Sequence, residues 1–169
     1  MRAGALLLAL AGLLSSAPTV AQPAPPAARP AQAYSASVAN DWFSLSLQII
    51  QQTPGFSPPV AARALGYLGL ALYESVVPGM PEHHSLAGQL NELSSLPWAQ
   101  PDEPLHWPTV ANAALATMNR MMFPHASAEN KARIDLLERN MALKYGQDFD
   151  PAGERMNEQK ILRCAIYTR

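Results

Sequence analysis

Apolar residues recur at intervals of three and four in four separate stretches of this chain, which is the spacing of amphipathic α-helices. We predict helices at roughly residues 37–52, 58–77, 107–123 and 128–145. Proline-containing breaks separate these stretches, at Pro54-Gly55, Pro78-Gly79 and Pro124. No stretch shows the strict alternation of apolar and polar residues that indicates a strand. The pattern therefore predicts an all-α fold, a helical bundle with about four main helices.

The second predicted helix is the most apolar of the four. Ten uncharged residues, ALGYLGLALY, lie between Arg63 and Glu74. They rise about 15 Å, half the thickness of a hydrocarbon core, so we predict a central core helix rather than a membrane span. Gly66 and Gly69 are expected to let a neighbouring helix approach closely, because glycine within a helix otherwise costs about 1 kcal/mol relative to alanine.

The two charges that flank this run share one face of the helix. Arg63 and Glu74 are eleven positions apart, which is three helical turns and about 16 Å along the axis. That separation is too long for a pair with each other. Each side chain could pair with a residue from another helix or extend to the end of the core, and we expect the ion pair.

Other local signals define the ends and faces of the helices. Ser57 and Ser127 are suitable N-caps, and Gly146 suits the position after the fourth helix. The fourth helix carries two pairs of opposite charge at i,i+4 spacing, Glu129 with Arg133 and Asp135 with Arg139. Each pair is expected to stabilise the helix by about 0.3 kcal/mol. The methionine and tryptophan side chains interpreted as packing groups are Met118, Met121, Met122, Trp42, Trp98 and Trp107.

The first 21 residues have the features of an export signal. Arg2 supplies a short positive region, residues 3–14 are apolar, and Thr19-Val20-Ala21 offers small residues before a cleavage point at Gln22. The apolar run is too short to span a bilayer, which takes about 20 residues. We predict a signal peptide over residues 1–21 and a secreted or periplasmic protein with no membrane span after cleavage.

The remainder divides by composition into three parts. Residues 22–35 are rich in proline and alanine and are predicted to form a disordered linker. Residues 36–146 are predicted to form the helical domain, and 147–169 an atypical, poorly ordered tail. Inside the domain, a loop of about two dozen residues, 80–103, is long enough to be either functional or wrapped around its neighbours.

Charge and cysteine content exclude two classes of protein. The chain has 12 Lys and Arg residues against 13 Asp and Glu, and this balance provides no basic surface for nucleic acid. One cysteine, Cys164, excludes an intrachain disulfide framework. We interpret Cys164 as an incidental residue of the tail rather than a reactive thiol.

Histidines are the only local candidates for a metal site. His83 and His84 follow Glu82, and adjacent loop residues can reach one ion, but zinc needs at least a third ligand. Glu103 and His106 have the i,i+3 spacing of di-iron ligands, yet the pair occurs once and a proline lies between them. We expect a solvated loop at His83 and His84, and no metal binding at Glu103 and His106, which lie just ahead of a helix. His125 is likewise expected in a loop between helices.

Three stretches together resemble a known family. They are TPGFSPPVAARALGYLGLALYESVVPGM at 53–80, SLAGQL at 85–90 and HWPTVANAALATMNRMMF at 106–123. The chain from about 40 to 145 resembles the N-terminal helical region of exported bacterial vanadium-dependent haloperoxidases. That family belongs to the superfamily of type 2 phosphatidic acid phosphatases and related acid phosphatases. The resemblance implies a partial bundle, the N-terminal part of a larger haloperoxidase-like helical fold.

The resemblance also implies a chemistry for full-length relatives. Their site holds vanadate, or phosphate in the phosphatases, with a lysine, arginines, a Ser-Gly-His element and a further histidine. Such a site is an oxyanion cradle, in which cations and hydrogen-bond donors neutralise the anion. No serine is followed by glycine in this chain, and no CxxC, HExxH, GxSxG or Walker motif occurs. No catalytic, cofactor-binding or metal-binding residue can be assigned here, and vanadate is implied only for the relatives.

Three hypotheses about function remain. The first is a truncated or frame-shifted haloperoxidase or acid-phosphatase-like protein, a helical scaffold that is inactive by itself; whether the chain is an enzyme stays open. The second is an exported, non-catalytic helical interaction module. The third is a small metal-binding protein that uses His83, His84 and His106. We also expect self-association through apolar helix faces that remain unburied.

Overall fold

The computed structural model describes residues 29–96 and 105–146, which form four helices and no strand. Their bounds are α1 Ser37–Gln52, α2 Pro58–Val76, α3 Trp107–Met122 and α4 Ala128–Gly146. Short 3₁₀ turns cover Ala31–Ala33 and Val77–Gly79. The predicted all-α fold with about four helices is confirmed. The predicted signal peptide, most of the linker, the tail with Cys164, and also Trp98 and Glu103 lie outside the described residues.

Helix α3 is the centre of the bundle. Every residue from Trp107 to Ala116 is buried, and α1, α2 and α4 all contact this helix. Alanines supply much of its surface, at positions 111, 113, 114 and 116. Short side chains let three neighbours approach one helix, so α3 is enclosed although it is less apolar overall than α2.

Helix α2 was predicted to be the central helix, and this prediction is wrong. Its buried residues are Ala64, Leu68 and Ala71, which lie at i, i+4 and i+7 and form one stripe toward the core. Much of its remaining surface is open among the described residues, with Tyr67 48% exposed and Val60 46% exposed. An apolar composition favours burial, but α3 already occupies the position that has neighbours on every side.

The core lies where α1, α2 and α4 meet α3. Its fully buried large side chains are Trp42, Ile49, Leu68, Leu115, Phe123 and Ile134. Trp42 and Trp107 are buried, in agreement with their interpretation as packing groups. Met118 and Met122 pack against the core, whereas Met121 is 53% exposed, which contradicts its predicted packing role.

Asn112 joins three helices in the middle of this core. Its Oδ1 accepts a hydrogen bond from Trp42 Nε1 of α1 at 2.9 Å. Its Nδ2 donates to the carbonyl oxygen of Glu138 in α4 at 3.1 Å. Because an unpaired buried amide or indole N–H costs about 1–3 kcal/mol, these bonds fix the register of α1 and α4 against α3.

Asn119 forms a second polar link two turns further along α3. Its Nδ2 donates to the Leu115 carbonyl at 2.8 Å, and its Oδ1 lies 2.8 Å from Ser46 Oγ of α1. Ser46 Oγ is also 2.7 Å from the Trp42 carbonyl. A hydroxyl has one proton, so Ser46 donates to one of these two acceptors at a time. Both asparagines therefore anchor α1 on the same side of α3.

The helix ends follow the local signals only in part. Ser127 Oγ accepts a hydrogen bond from Asn130 N–H at 3.2 Å, which is the predicted N-cap of α4. Ser57 occupies the N-cap position of α2, but its side chain makes no capping bond. Gly146 is the last residue of α4 rather than the residue after it.

The predicted ion pairs within α4 are replaced by contacts between helices. Asp135 and Glu138 both pair with Arg120 of α3, the former at 2.8 Å. The hydrogen bond that Arg120 donates to the Glu138 carboxylate raises the pKa of Arg120, burial opposes this increase, and Asp135 adds to it. Arg133 donates to Asn130 and to Gln48 of α1. The predicted pairs Asp135–Arg139 and Glu129–Arg133 are therefore wrong. The long side chains of Arg120 and Arg133 instead reach residues of neighbouring helices.

A close contact ties the end of α2 to the start of α3. The Trp107 ring lies against Gly79, where an added Cβ would be 2.2 Å from Trp107 Cε2. Trp107 Nε1 donates to the carbonyl oxygen of Arg29 at 3.0 Å, and Ala31 packs in the same small cluster. The ring is therefore held in place and cannot move aside for a side chain at position 79.

We expect Asn112→Leu to lower the free energy of unfolding by about 2 kcal/mol, because it leaves the buried Trp42 N–H without an acceptor while filling a similar volume. Urea denaturation followed by circular dichroism would measure the change. Asn140→Leu, at an exposed position of α4, should stay within about 0.5 kcal/mol. Adding Trp42→Phe to Asn112→Leu should cost less than Trp42→Phe alone, and additive effects would contradict the assigned hydrogen bond.

We expect Gly79→Ala to lower the free energy of unfolding by about 1–3 kcal/mol, because the new methyl group would overlap the Trp107 ring. Thermal unfolding monitored by tryptophan fluorescence would report the loss. Gly146→Ala is the matched control, since a Cβ there meets nothing within 4 Å. Equal melting temperatures for the two variants would show that the ring at position 107 is free to move.

Candidate interaction surface on helix α2

The loop that follows α2 is folded back onto the second half of that helix. Tyr73 Oη donates to the His84 carbonyl at 2.7 Å. The Glu74 carboxylate accepts hydrogen bonds from Ser85 Oγ and from Leu86 N–H, both at 2.7 Å. The predicted ion pair of Glu74 is therefore not formed among the residues that the structure describes. Its charge is stabilised by two neutral donors from the loop, which come closer than any cation of the described residues.

The loop continues as a series of turns rather than a helix. The N–H groups of Gln89 and Leu90 both donate to the Leu86 carbonyl, at 2.9 and 3.2 Å. Gly88 has a φ of 77°, in the left-handed region where glycine is favoured. These turns bring Leu86 and Leu90 beside α2.

A shallow groove of about 500 Å³ separates the loop from the outer face of α2. Its apolar side chains are Tyr67, Leu70, Tyr73, Leu86 and Leu90. Tyr67 and Leu90 are 48% and 44% exposed, so a continuous apolar strip faces away from the core. An exposed apolar patch of this kind is typical of an interaction surface.

Gly66 and Gly69 lie in this groove, and the space above them is open. A Cβ added at either position would meet no atom within 4 Å. We predicted that these glycines allow a helix to approach closely, but no described element occupies that position. Both glycines are therefore available for a contact that the described residues do not make.

Arg63 marks one end of the groove and is exposed. It makes no hydrogen bond or ion pair with the described residues, so its predicted ion pair is not formed among them. Glu74 lies eleven positions further along the same helix. The outer face of α2 thus has a free cation near its start and a carboxylate near its end, with apolar residues and two glycines between them.

The loop histidines border a second, separate cavity. His83 and His84 are exposed and line an open pocket of about 610 Å³ together with Ser85, Ser94 and Ser95. Within residues 29–96 and 105–146, no group of three or more His, Cys, Asp or Glu side chains is placed to hold a metal ion. His125 lies in an exposed turn, as predicted.

His106, for which we predicted no metal binding, is buried. It occupies the N-cap position of α3, and its Nδ1 is 2.8 Å from Thr109 Oγ1. Its ring contacts Tyr34 and Tyr145, with centroids 5.1 and 5.6 Å away. His106 does not line the pocket of His83 and His84. The structure thus joins His106 to two tyrosines that are 72 and 39 positions away, and no sequence signal links these three residues.

Comparisons of the chain with protein families, with curated proteins and with solved structures find no match. The resemblance to vanadium haloperoxidases therefore stays a prediction. Among the residues that the structure describes, Pro58–Gly79 is long and apolar enough to cross a membrane by length and composition, and only 22% of its most apolar window is buried. This low buried fraction agrees with the open groove, because α2 has more apolar surface than the described part of the bundle covers.

We expect Glu74→Ala to detach the loop from α2, because it removes the acceptor of both the Ser85 hydroxyl and the Leu86 N–H. Limited proteolysis should then cleave the segment around residues 82–92 faster than in the parent chain. Glu82→Ala, which changes an exposed glutamate of the same loop, should leave the cleavage rate unchanged. Equal cleavage of all three chains would contradict the anchoring role of Glu74.

Proposed function

We propose that this chain is a helical scaffold, similar to the N-terminal region of haloperoxidase-like proteins, that acts by packing and is inactive as a catalyst by itself. One observation carries the proposal: the outer face of α2 is apolar, has open space above Gly66 and Gly69, and is left uncovered by the described residues. A helix that is apolar on all sides is typically covered by other elements or by a membrane.

The structural roles of the polar side chains support this proposal. The two core asparagines link α1, α3 and α4. Glu74 anchors the loop, and Arg120 joins α3 to α4 through two carboxylates. Polar groups that perform catalysis converge on a shared space where a reacting atom can sit. The groups named here are instead satisfied by one another and by the backbone.

The arginines Arg63, Arg120 and Arg133 also do not form a site for vanadate or phosphate. Such an anion needs several cations and donors that converge on its oxygens. Arg120 is engaged by Asp135 and Glu138, and Arg133 by Gln48 and Asn130. Arg63 stands at the end of an apolar groove with no second cation among its lining residues. We therefore propose no chemical step through vanadate for this chain.

The same face supports a second candidate function, an exported helical interaction module without haloperoxidase ancestry. Both candidates place the contact surface on α2, and both carry the proposal of a secreted or periplasmic location. They differ in the surface that covers the outer face of α2. The first candidate predicts a helical catalytic portion of the haloperoxidase type, and the second predicts an unrelated partner. The nucleotide sequence after the last codon distinguishes them, because only the first predicts lysine, arginine and Ser-Gly-His elements there, in one of the three reading frames.

We expect the purified chain to show no bromide oxidation above the buffer background when vanadate and hydrogen peroxide are added, because Arg120 and Arg133 are engaged by other side chains and Arg63 has no second cation in its groove. A halogenation assay with a chromogenic acceptor would measure this, and an active vanadium haloperoxidase would serve as the positive control. Hydrolysis of a phosphate monoester should also be at background. Turnover that rises with vanadate concentration would overturn the proposal.

A further inference from the structure

We infer that the groove on α2 binds the α2 helix of a second copy of this chain, with the two helices antiparallel across a twofold axis. This inference rests on the proposed packing function and names its partner. The order of charges, small residues and bulky residues along one exposed helix face favours this pairing.

The positions of the charges favour an antiparallel self-pair. Arg63 is exposed and unpaired among the described residues, and Glu74 follows eleven positions later on the same face. If two α2 helices cross antiparallel at the point between Leu68 and Gly69, each Arg63 lies level with Glu74 of the second copy. A parallel pair would instead place Arg63 opposite Arg63 and Glu74 opposite Glu74, and such like-charge contacts weaken an interface. Charge complementarity therefore selects one orientation.

Glu74 retains the capacity to accept a further hydrogen bond. Each of its oxygens accepts one bond from the loop, from Ser85 Oγ and from Leu86 N–H. A carboxylate has about four acceptor sites, and the guanidinium of Arg63 has five donors. The loop therefore holds the Glu74 carboxylate in place without saturating it, which lowers the entropy that an intermolecular pair would lose.

Residue sizes along the face fit the same alignment. Gly66 and Gly69 have open space above them, so two helix backbones can approach closely there. At equal distances on either side of the crossing point, Tyr67 lies level with Leu70 of the second copy. The interface would bury the Tyr67 ring, which is 48% exposed in one chain. Because a twofold axis makes every contact twice, one helix face supplies a complete isologous interface.

A lipid surface is the competing occupant, and the geometry disfavours it. The uncharged run between Arg63 and Glu74 is about 15 Å long, half of a hydrocarbon core. Arg63 lines the same groove as the apolar residues. Insertion of this face into a bilayer would therefore draw a charge with it, whereas a second copy supplies a counter-charge.

A cysteine cross-linking experiment tests the alignment. In the antiparallel pair the two Leu70 positions are three residues apart along the axis, about 4.5 Å, and a disulfide requires Cα atoms within about 7 Å. Leu70→Cys in a Cys164→Ser background should give a disulfide-linked dimer under mild oxidation. Val60→Cys in the same background is the control, because its two copies would be about 25 Å apart and should not cross-link. Equal cross-linking of both variants would overturn the antiparallel alignment.

A charge reversal tests the interface independently. Arg63→Glu should raise the dimer dissociation constant by about tenfold or more, since it places a carboxylate opposite Glu74 at both ends of the interface. Analytical ultracentrifugation would measure the change, and circular dichroism would verify that the variant is folded. Arg139→Glu, at an exposed position of α4, should leave the dissociation constant unchanged. Equal dissociation constants for the two variants would contradict the inferred contact.

Two outcomes separate this inference from the function on which it rests. A parent chain that stays monomeric across the concentration range, and also gives no halogenation, would overturn self-pairing and leave the scaffold proposal intact. Vanadate-dependent turnover by a dimer would overturn the scaffold proposal and leave self-pairing intact. Co-flotation of the parent chain with phosphatidylglycerol–phosphatidylethanolamine vesicles, lost in the Leu70→Ser variant, would show that lipid is the occupant and would also overturn self-pairing.

Discussion

The structure depends on the burial of polar groups along the central helix α3. Asn112 and Asn119 are seven positions apart, so they lie on nearly the same side of α3 and meet Trp42 and Ser46 of α1. Apolar contacts alone would tolerate a small shift of one helix along another. A shift of one turn would leave buried amide and indole groups without partners, and that penalty makes one arrangement of α1, α3 and α4 much more stable than its neighbours.

Helix α2 stands outside this polar framework, and its exposure follows from that position. It meets the core through Ala64, Leu68 and Ala71, and its two polar anchors, Tyr73 and Glu74, hold the loop rather than another helix. One apolar face of α2 packs against the core, and the other remains at the surface beside the loop. The candidate interaction surface therefore results from how the bundle is assembled, with α3 taking the enclosed position.

Part of the candidate surface could be predicted from the sequence. The spacing of Arg63 and Glu74 places them on one helix face, and Gly66 and Gly69 stand out within an apolar run. The sequence could not show that Leu86 and Leu90 complete the groove, because the turns that bring them to α2 depend on hydrogen bonds to Glu74 and Tyr73. Nor could it show which face is exposed, since a helix that is apolar on all sides has no polar stripe to mark the solvent.

Taken alone, the sequence determined the helical class, the approximate ends of all four helices and the cap at Ser127, because these depend on residue spacing, proline and short-range hydrogen bonds. Only the tertiary structure decided which helix is central, which partners the arginines Arg120 and Arg133 select, and that His106 is enclosed by two tyrosines. These outcomes depend on competition among elements distant in sequence. Hydrophobicity sets how strongly a helix favours burial, but the side-chain sizes of all the helices together decide which one is enclosed.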